Sequence, residues 1–248
     1  MGDAFQHKWF DRSWEEMARE HPFAAVMTTS EMIAADPDSP ELLKDFFDKG
    51  RRLVKSLEPV LPQDRSGLIV DYGCGAGRML KPLVEDGYRC AGLDIAPTMI
   101  GHARRLVPGA ELHALQDGRS PLPDGCAALV YSYAVVQHIS RLSAYVQAFD
   151  EMCRLLAPGG RLMAQVVCQD MLAEDGSRTG RTENHEDHSW HFPDGQDAYR
   201  HDQNNWSGVH IGREAQEQML ADRGVRADQW RPYKTAKRYL QWVIGTRV

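Results

Sequence analysis

The segment Leu68-Ile69-Val70-Asp71-Tyr72-Gly73-Cys74-Gly75-Ala76-Gly77-Arg78 constrains this 248-residue chain more than any other. A short apolar run followed by glycines at every second position predicts a buried strand that ends at Asp71. Beyond it the backbone turns sharply and lies open to close approach by a ligand. Arg89–Asp94 reads as the next strand, and its terminal Asp94 follows Gly73 by 21 residues. An acid in that place can accept hydrogen bonds from ribose hydroxyls. The spacing is G-x-G-x-G, not the G-x-G-x-x-G of a dinucleotide loop. Asp71 also stands just before the first glycine, where a carboxylate repels a pyrophosphate but stabilises a ligand bearing an ammonium and a sulfonium.

Around this loop the chain falls into three zones. Residues 1–62 read as a helical cover. Ser13 and Glu16 have capping-box spacing, and Ser39-Pro40-Glu41 is a helix start. Leu42, Leu43, Phe46, Phe47, Leu53, Val54 and Leu57 follow at helical spacing until Pro59 and Pro62. Residues 63–168 alternate strand-like and helix-like segments: Arg78–Glu85, Pro97–Leu106 and Ser143–Leu156 as helices, Ala127–Tyr131 and Arg161–Cys168 as strands, with Pro158-Gly159-Gly160 as a turn. Such alternation predicts a doubly wound α/β core with a mostly parallel sheet. Residues 169–210 are polar, without periodicity, and hold five of the ten histidines. A segment of this kind predicts an insertion that serves as a substrate lid or binding loop. Residues 211–248 return to the core, with a helix over Arg213–Arg223 stopped by Gly224 and a closing strand over Tyr239–Ile244.

On VDYGCGAGR, the GLDIAPTMI segment around Asp94, Gln116-Asp117-Gly118 and LAPGGRL, the chain resembles the class I S-adenosylmethionine-dependent methyltransferases. The resemblance covers about residues 63–168 and, more loosely, the closing strand. It implies a Rossmann-like seven-stranded sheet with the last strand antiparallel, and S-adenosyl-L-methionine as methyl donor. It also implies that Gly73, Gly75 and Gly77 pass close to the methionine moiety while Asp94 holds the ribose. Ile95 and Met99 would then flank the adenine, and Asp117, with Gly118 beside it, would accept from the adenine amino group. Asp-Gly is equally a common turn dipeptide, so Asp117 is also open to a plain turn role.

The acceptor side is less defined. His138, at the end of Tyr131-Ser132-Tyr133-Ala134-Val135-Val136-Gln137-His138, is the best-placed general base, since imidazole titrates near neutrality. Its alternative is to brace the helix that follows. Tyr133 is expected to line the donor pocket or to be a core aromatic. In Glu183-Asn184-His185-Glu186-Asp187-His188-Ser189-Trp190-His191, histidines beside carboxylates could gather a divalent metal such as Mg2+. The same side chains could instead hydrogen-bond and stack on a polyhydroxylated acceptor. Base-amino methyltransferases share a D/N-P-P-Y/F segment where this chain has Tyr131-Ser132-Tyr133-Ala134, and no Pro-Cys pair occurs anywhere. The net charge of −6 likewise speaks against a nucleic-acid partner.

The expectation is therefore O-methylation of a hydroxyl on a small polar acceptor, a sugar or glycosylated metabolite first. N- or C-methylation of a natural product or amino acid, or donor binding without catalysis, are the rivals. Five spaced cysteines with no C-x-x-C pair and a charged N-terminus without an apolar core predict a cytoplasmic protein away from membranes.

Overall fold

The computed structural model describes residues 14–20, 22–23, 39–139, 141–168, 170–172, 178–181, 209, 211–233 and 240–248. Ser13, Trp9, Phe10 and the histidine cluster at 183–191 lie outside them. The chain divides into two compact units, Met1–Pro121 and Leu122–Val248.

The first unit contains helices α1 (Trp14–Glu20), α2 (Pro40–Val54), α3 (Leu80–Glu85) and α4 (Pro97–Leu106), with strands β1 (Leu68–Tyr72), β2 (Cys90–Asp94) and β3 (Glu111–Ala114). Helix α2 starts where expected: Ser39 Oγ accepts from Leu42 N at 3.3 Å, and Pro40 fills the first helical position, where no N–H is needed. Its Leu42, Phe46, Gly50 and Val54 are buried, while Arg51 and Arg52 lie in the last turn, where positive charge suits the helix dipole. All five residues of β1 are buried, as befits a parallel strand covered on both faces. Parallel pairing sets Asp71 opposite Gly92 and Tyr72 opposite Leu93. Phe23, Phe46, Ala76, Ala96 and Met99 share one core cluster, with Trp14, Leu43 and Phe47 packed against it. Trp14 and Phe23 thus dock on this core. Strand β3 escapes sequence reading because it has four residues and buries only Leu112.

The second unit contains β4 (Ala127–Ser132), a 3-10 turn (Val136–His138), α5 (Leu142–Leu155), β5 (Leu156–Val167), β6 (Asp170–Leu172), β7 (Arg178–Arg181), α6 (Arg213–Ala221), β8 (Val225–Pro232) and β9 (Leu240–Arg247). Two expectations need correction here. Pro158-Gly159-Gly160, with Gly159 at φ +74°, lies inside β5 and not ahead of it. Pairing begins at Ala127–Leu156 and resumes at Leu129–Arg161, so the extra residues are absorbed as a bulge. A Cβ on Gly160 would lie 2.8 Å from two carbonyl oxygens, which is why the bulge needs glycine there. The polar segment after residue 168 is not wholly irregular, since β6 and β7 pair antiparallel within it. Strand β8 leaves no readable period in the sequence. Its alternation is broken by a register shift between Ala227 and Gln229, and only Val225 and Trp230 are buried.

The sheet has the order β3-β2-β1-β4-β5-β9-β8, with β9 antiparallel to both of its neighbours. This is the Rossmann-like seven-stranded arrangement the sequence predicts. Helix α6 ends at Ala221, and Gly224, with φ +67°, completes the turn that leads into β8. All five cysteines are thiols, and four of them are buried. Among the described residues no helix is long and apolar enough to cross a membrane.

Candidate functional site

In the first unit the glycine loop is built by backbone geometry. Gly73, Gly75 and Gly77 have φ of 82°, 54° and 87°, a region that side chains rarely tolerate. The N–H groups of Gly73 and Cys74 both donate to Leu93 O, at 2.7 and 2.9 Å, tying the loop to the end of β2. Gly77 leaves no room for a side chain, because a Cβ would lie 2.6 Å from Val107 Cγ2. Gly50 of α2 allows an equally close approach to the backbone of Arg78 as it leaves the loop.

Asp94 closes the same structure. One carboxylate oxygen accepts from Gly75 N and the other from Ala96 N, both at 2.9 Å. Desolvation raises its pKa, although the backbone N–H groups pull the other way. Asp71 is buried at 4 % exposure. Burial, reinforced by Asp94 and Asp71, pushes the Cys74 thiol well above its ordinary range, so it is an inert thiol. Ile95 is 62 % exposed, an unusual state for a large apolar side chain beside a desolvated acid. Met99 goes the other way and is buried in the core cluster with Ala76 and Ala96.

Asp117 and Gly118 follow β3 as the two central residues of a tight turn, with φ of 49° and 75°. Gln116 and Arg119 exchange two backbone hydrogen bonds of 2.9 Å across it. Both positive φ values mark a type I′ hairpin turn, for which Asp-Gly is well suited. The exposed Asp117 carboxylate is thereby held at a defined place beyond the strand end.

A contact that sequence reading missed joins the N-terminal helix to α4. Glu15 accepts from Thr98 Oγ1 at 2.6 Å and from Thr98 N at 3.1 Å, capping a helix that begins 82 residues further along the chain. These bonds hold the Glu15 carboxyl below its ordinary range.

In the second unit, β4 leads into Tyr133 and Ala134, and Ala134 has φ +57°. The Ala134 N–H donates to Gln165 Oε1 at 3.1 Å, so a side chain of β5 holds this strained corner. Tyr133 stacks on Trp242 of β9 with centroids 5.7 Å apart and planes 25° apart. Its hydroxyl shares a 2.6 Å hydrogen bond with Tyr233, which follows β8. Gln165 carried a readable signal, a lone amide inside the apolar run of β5. Tyr233 and Trp242 did not.

His138 ends the 3-10 turn. Desolvation lowers its pKa to about 4, so it is neutral at pH 7. Its Nε2 lies 3.0 Å from the Gln137 side-chain amide, so that ring nitrogen is hydrogen-bonded to its sequence neighbour. Among the described residues no cluster of three or more His, Cys, Asp or Glu is arranged to hold a metal ion.

Residues 70–164 match the methyltransferase domain family. The chain is 33% identical over 149 residues to a trans-aconitate 2-methyltransferase from Methylobacterium nodulans, covering 59% of this chain and 55% of that protein. It is 31% identical over 121 residues to a ubiquinone biosynthesis O-methyltransferase from a Methylobacterium species, covering 46% and 47%. It spans about half the length of these curated relatives. Among solved structures, an amino pentose methyltransferase from Micromonospora echinaspora superposes with a TM-score of 0.54 at 19% identity, covering 82% of this chain and 92% of that one.

Proposed function

We propose that this chain, a member of the class I S-adenosylmethionine-dependent methyltransferase family over residues 70–164, transfers a methyl group to an oxygen of a small polar acceptor. The observation that carries the donor side is Asp94, held by two backbone N–H groups beside the exposed Ile95. A nucleoside needs an acceptor for its ribose hydroxyls and an apolar face for its base. A carboxylate has about four lone-pair sites, so Asp94 keeps acceptor capacity for a hydroxyl beside its backbone partners. The residues therefore fit S-adenosylmethionine, which when bound supplies a methyl carbon activated by its sulfonium. Gly73, Gly75 and Gly77 admit the methionine part, Asp71 provides the compensating negative charge, and Asp117 with Gly118 faces the adenine edge. Met99 supports that edge from the core.

The acceptor side belongs to the corner after β4, where Tyr133 forms part of an aromatic wall. Two of the relatives are named as methyltransferases of trans-aconitate and of ubiquinone biosynthesis, the latter an O-methyltransferase, which supports oxygen as the atom methylated. A saccharide hydroxyl, favoured by the polar segment 169–210, needs a base to take its proton as the bond forms. Desolvation leaves His138 a weak base and the Gln137 amide engages one of its ring nitrogens, so in this reading it braces the turn. An oxygen that is already acidic or ionised at neutral pH suits this arrangement better than a sugar hydroxyl.

Calorimetry with S-adenosylmethionine and S-adenosylhomocysteine tests the donor site. Both should bind in the micromolar range, and Asp94→Ala should weaken each at least about tenfold, the loss of a charged hydrogen-bond acceptor. Absence of binding, or binding indifferent to Asp94→Ala, overturns the assignment. Transfer of a labelled methyl group to a panel of acids, phenols, sugars and amines then tests the acceptor class.

A further inference from the structure

Three strands of the second unit bring unlike side chains into one row. Gln165 of β5 stands directly opposite Trp242 of β9, and Trp242 directly opposite Arg231 of β8. Directly opposed residues of antiparallel pairs lie on the same sheet face, so all three do. Tyr133 and Tyr233 pack on Trp242 with centroids 5.7 and 6.2 Å away, walling the row on the side where β4 and β8 end.

The two polar members are incompletely satisfied. Gln165 is 1 % exposed. Its Oε1 holds Ala134 N, but its Nε2, a donor, is sealed from solvent and has no partner among the described residues. Arg231 is half-buried with its Nε sealed, and it has neither a hydrogen bond nor an ion pair among the described residues. Other partly buried arginines of this chain are paired: Arg154 with Glu151 and Asp124, Arg223 with Asp150. A guanidinium withdrawn from water without an anion is costly, as is an amide donor without an acceptor. Such a pair on one face, beside an aromatic wall, is a site for something that supplies both.

We propose that Arg231 and Gln165 bind the acceptor as a small organic acid, Arg231 taking its carboxylate and Gln165 Nε2 a second oxygen. The inference rests on the acceptor reading above and names its chemical class. A planar guanidinium matches a carboxylate through two parallel N–H···O bonds, and one cation balances one negative charge. A phosphate dianion would call for more positive charge than the row provides. Residues two strands apart are about 10 Å apart at their Cα atoms. With both side chains reaching over Trp242, the gap suits a ligand of a few carbons, whose apolar part lies against Tyr133, Tyr233 and Trp242.

The test is calorimetry on the full chain, with and without saturating S-adenosylhomocysteine. The probes are 4-hydroxybenzoate, trans-cinnamate and succinate, each against its amide, and inorganic phosphate. At least one acid should bind about ten- to a hundredfold tighter than its amide, the range for a hydrogen-bonded ion pair. Arg231→Gln should abolish that gap, Arg231→Lys should restore part of it, and Gln165→Leu should weaken the acid alone. Arg226→Gln, an exposed change on the same strand, should leave it intact. Equal binding of every acid and amide, a gap that survives Arg231→Gln, or tighter binding of phosphate overturns the inference. Undiminished S-adenosylhomocysteine binding by Arg231→Gln shows that the fold persists. Failure of S-adenosylhomocysteine to bind the unaltered chain would strike the donor reading instead, and the acid-amide comparison can still be made without it.

Discussion

Replacing Gly50 by alanine sets helix propensity against tertiary packing, and the two predict opposite signs. Gly50 lies within α2, where alanine is favoured over glycine by about 1 kcal/mol. In the fold, however, a Cβ at this position would fall well inside contact distance of the Arg78 carbonyl oxygen. It would also lie 2.8 Å from the carbonyl carbon and 3.1 Å from Arg78 Cγ. The obstacle is backbone at the exit of the glycine loop, so it cannot rotate away as a side chain would. Overpacking of this kind costs about 3 kcal/mol or more. Subtracting the propensity gain leaves a net loss of about 2–3 kcal/mol, or about 5–10 °C in Tm for a chain of this size. Gly101 of α4 is the control, because a Cβ there meets nothing within 4 Å. Gly101→Ala should raise stability by about 0.5–1 kcal/mol. Both are read by urea denaturation and scanning calorimetry, with S-adenosylhomocysteine titration alongside. Gly50→Ala should also weaken that ligand, since Arg78 directly follows Gly77, whereas Gly101→Ala should not. A Gly50→Ala protein as stable as the parent would refute the close packing of α2 on the loop.

Three further outcomes follow from the charges. Glu15→Ala should lower stability by about 1 kcal/mol at pH 7, the usual worth of a helix cap. Because the Glu15 pKa is held below its ordinary 4.5, that difference should fade in urea melts as pH falls through the lowered value. Asp94 has the opposite sign. Its raised pKa means that it takes up a proton at a higher pH than an exposed aspartate, so S-adenosylhomocysteine affinity should fall on acidification while the unliganded fold gains from relief of the buried charge. Calorimetric titrations that show no such acid weakening would contradict Asp94 as the ribose acceptor. For His138, lowered from 6.5 to about 4, stability should be lost as pH falls across that interval, and His138→Gln should remove the loss. The same variant should keep kcat within about threefold, since general-base catalysis is worth a hundredfold or more. A hundredfold fall with intact donor binding would make His138 the base.

How much of this was legible in the sequence depends on the range of the interactions. The turn after β1 was readable because glycine spacing acts through local sterics, and Asp94 because strand and loop lengths set its place within a few residues. Helix α2 announced its start through Ser39 and Pro40, and α4 through Pro97, each by satisfying or removing a terminal N–H. The weak edges β3 and β8 were not readable, since an edge strand buries too few residues to leave a period. The bulge at Pro158-Gly159-Gly160 was hidden for a related reason, because only the pairing of Leu156 with Ala127 shows that the strand begins before these residues.

The candidate site divides along the same line. Sequence by itself determined the glycine loop, the acid at the end of the next strand and the α/β order, all products of short-range backbone geometry and hydrophobic period. Only the tertiary structure decided that Met99 is buried in the core while Ile95 stands exposed, and that His138 is desolvated. It alone brought Glu15 to Thr98 and lined Gln165, Trp242 and Arg231 across three strands. Those relations depend on cross-strand register, burial and desolvation, which arise only when segments far apart in the chain pack together.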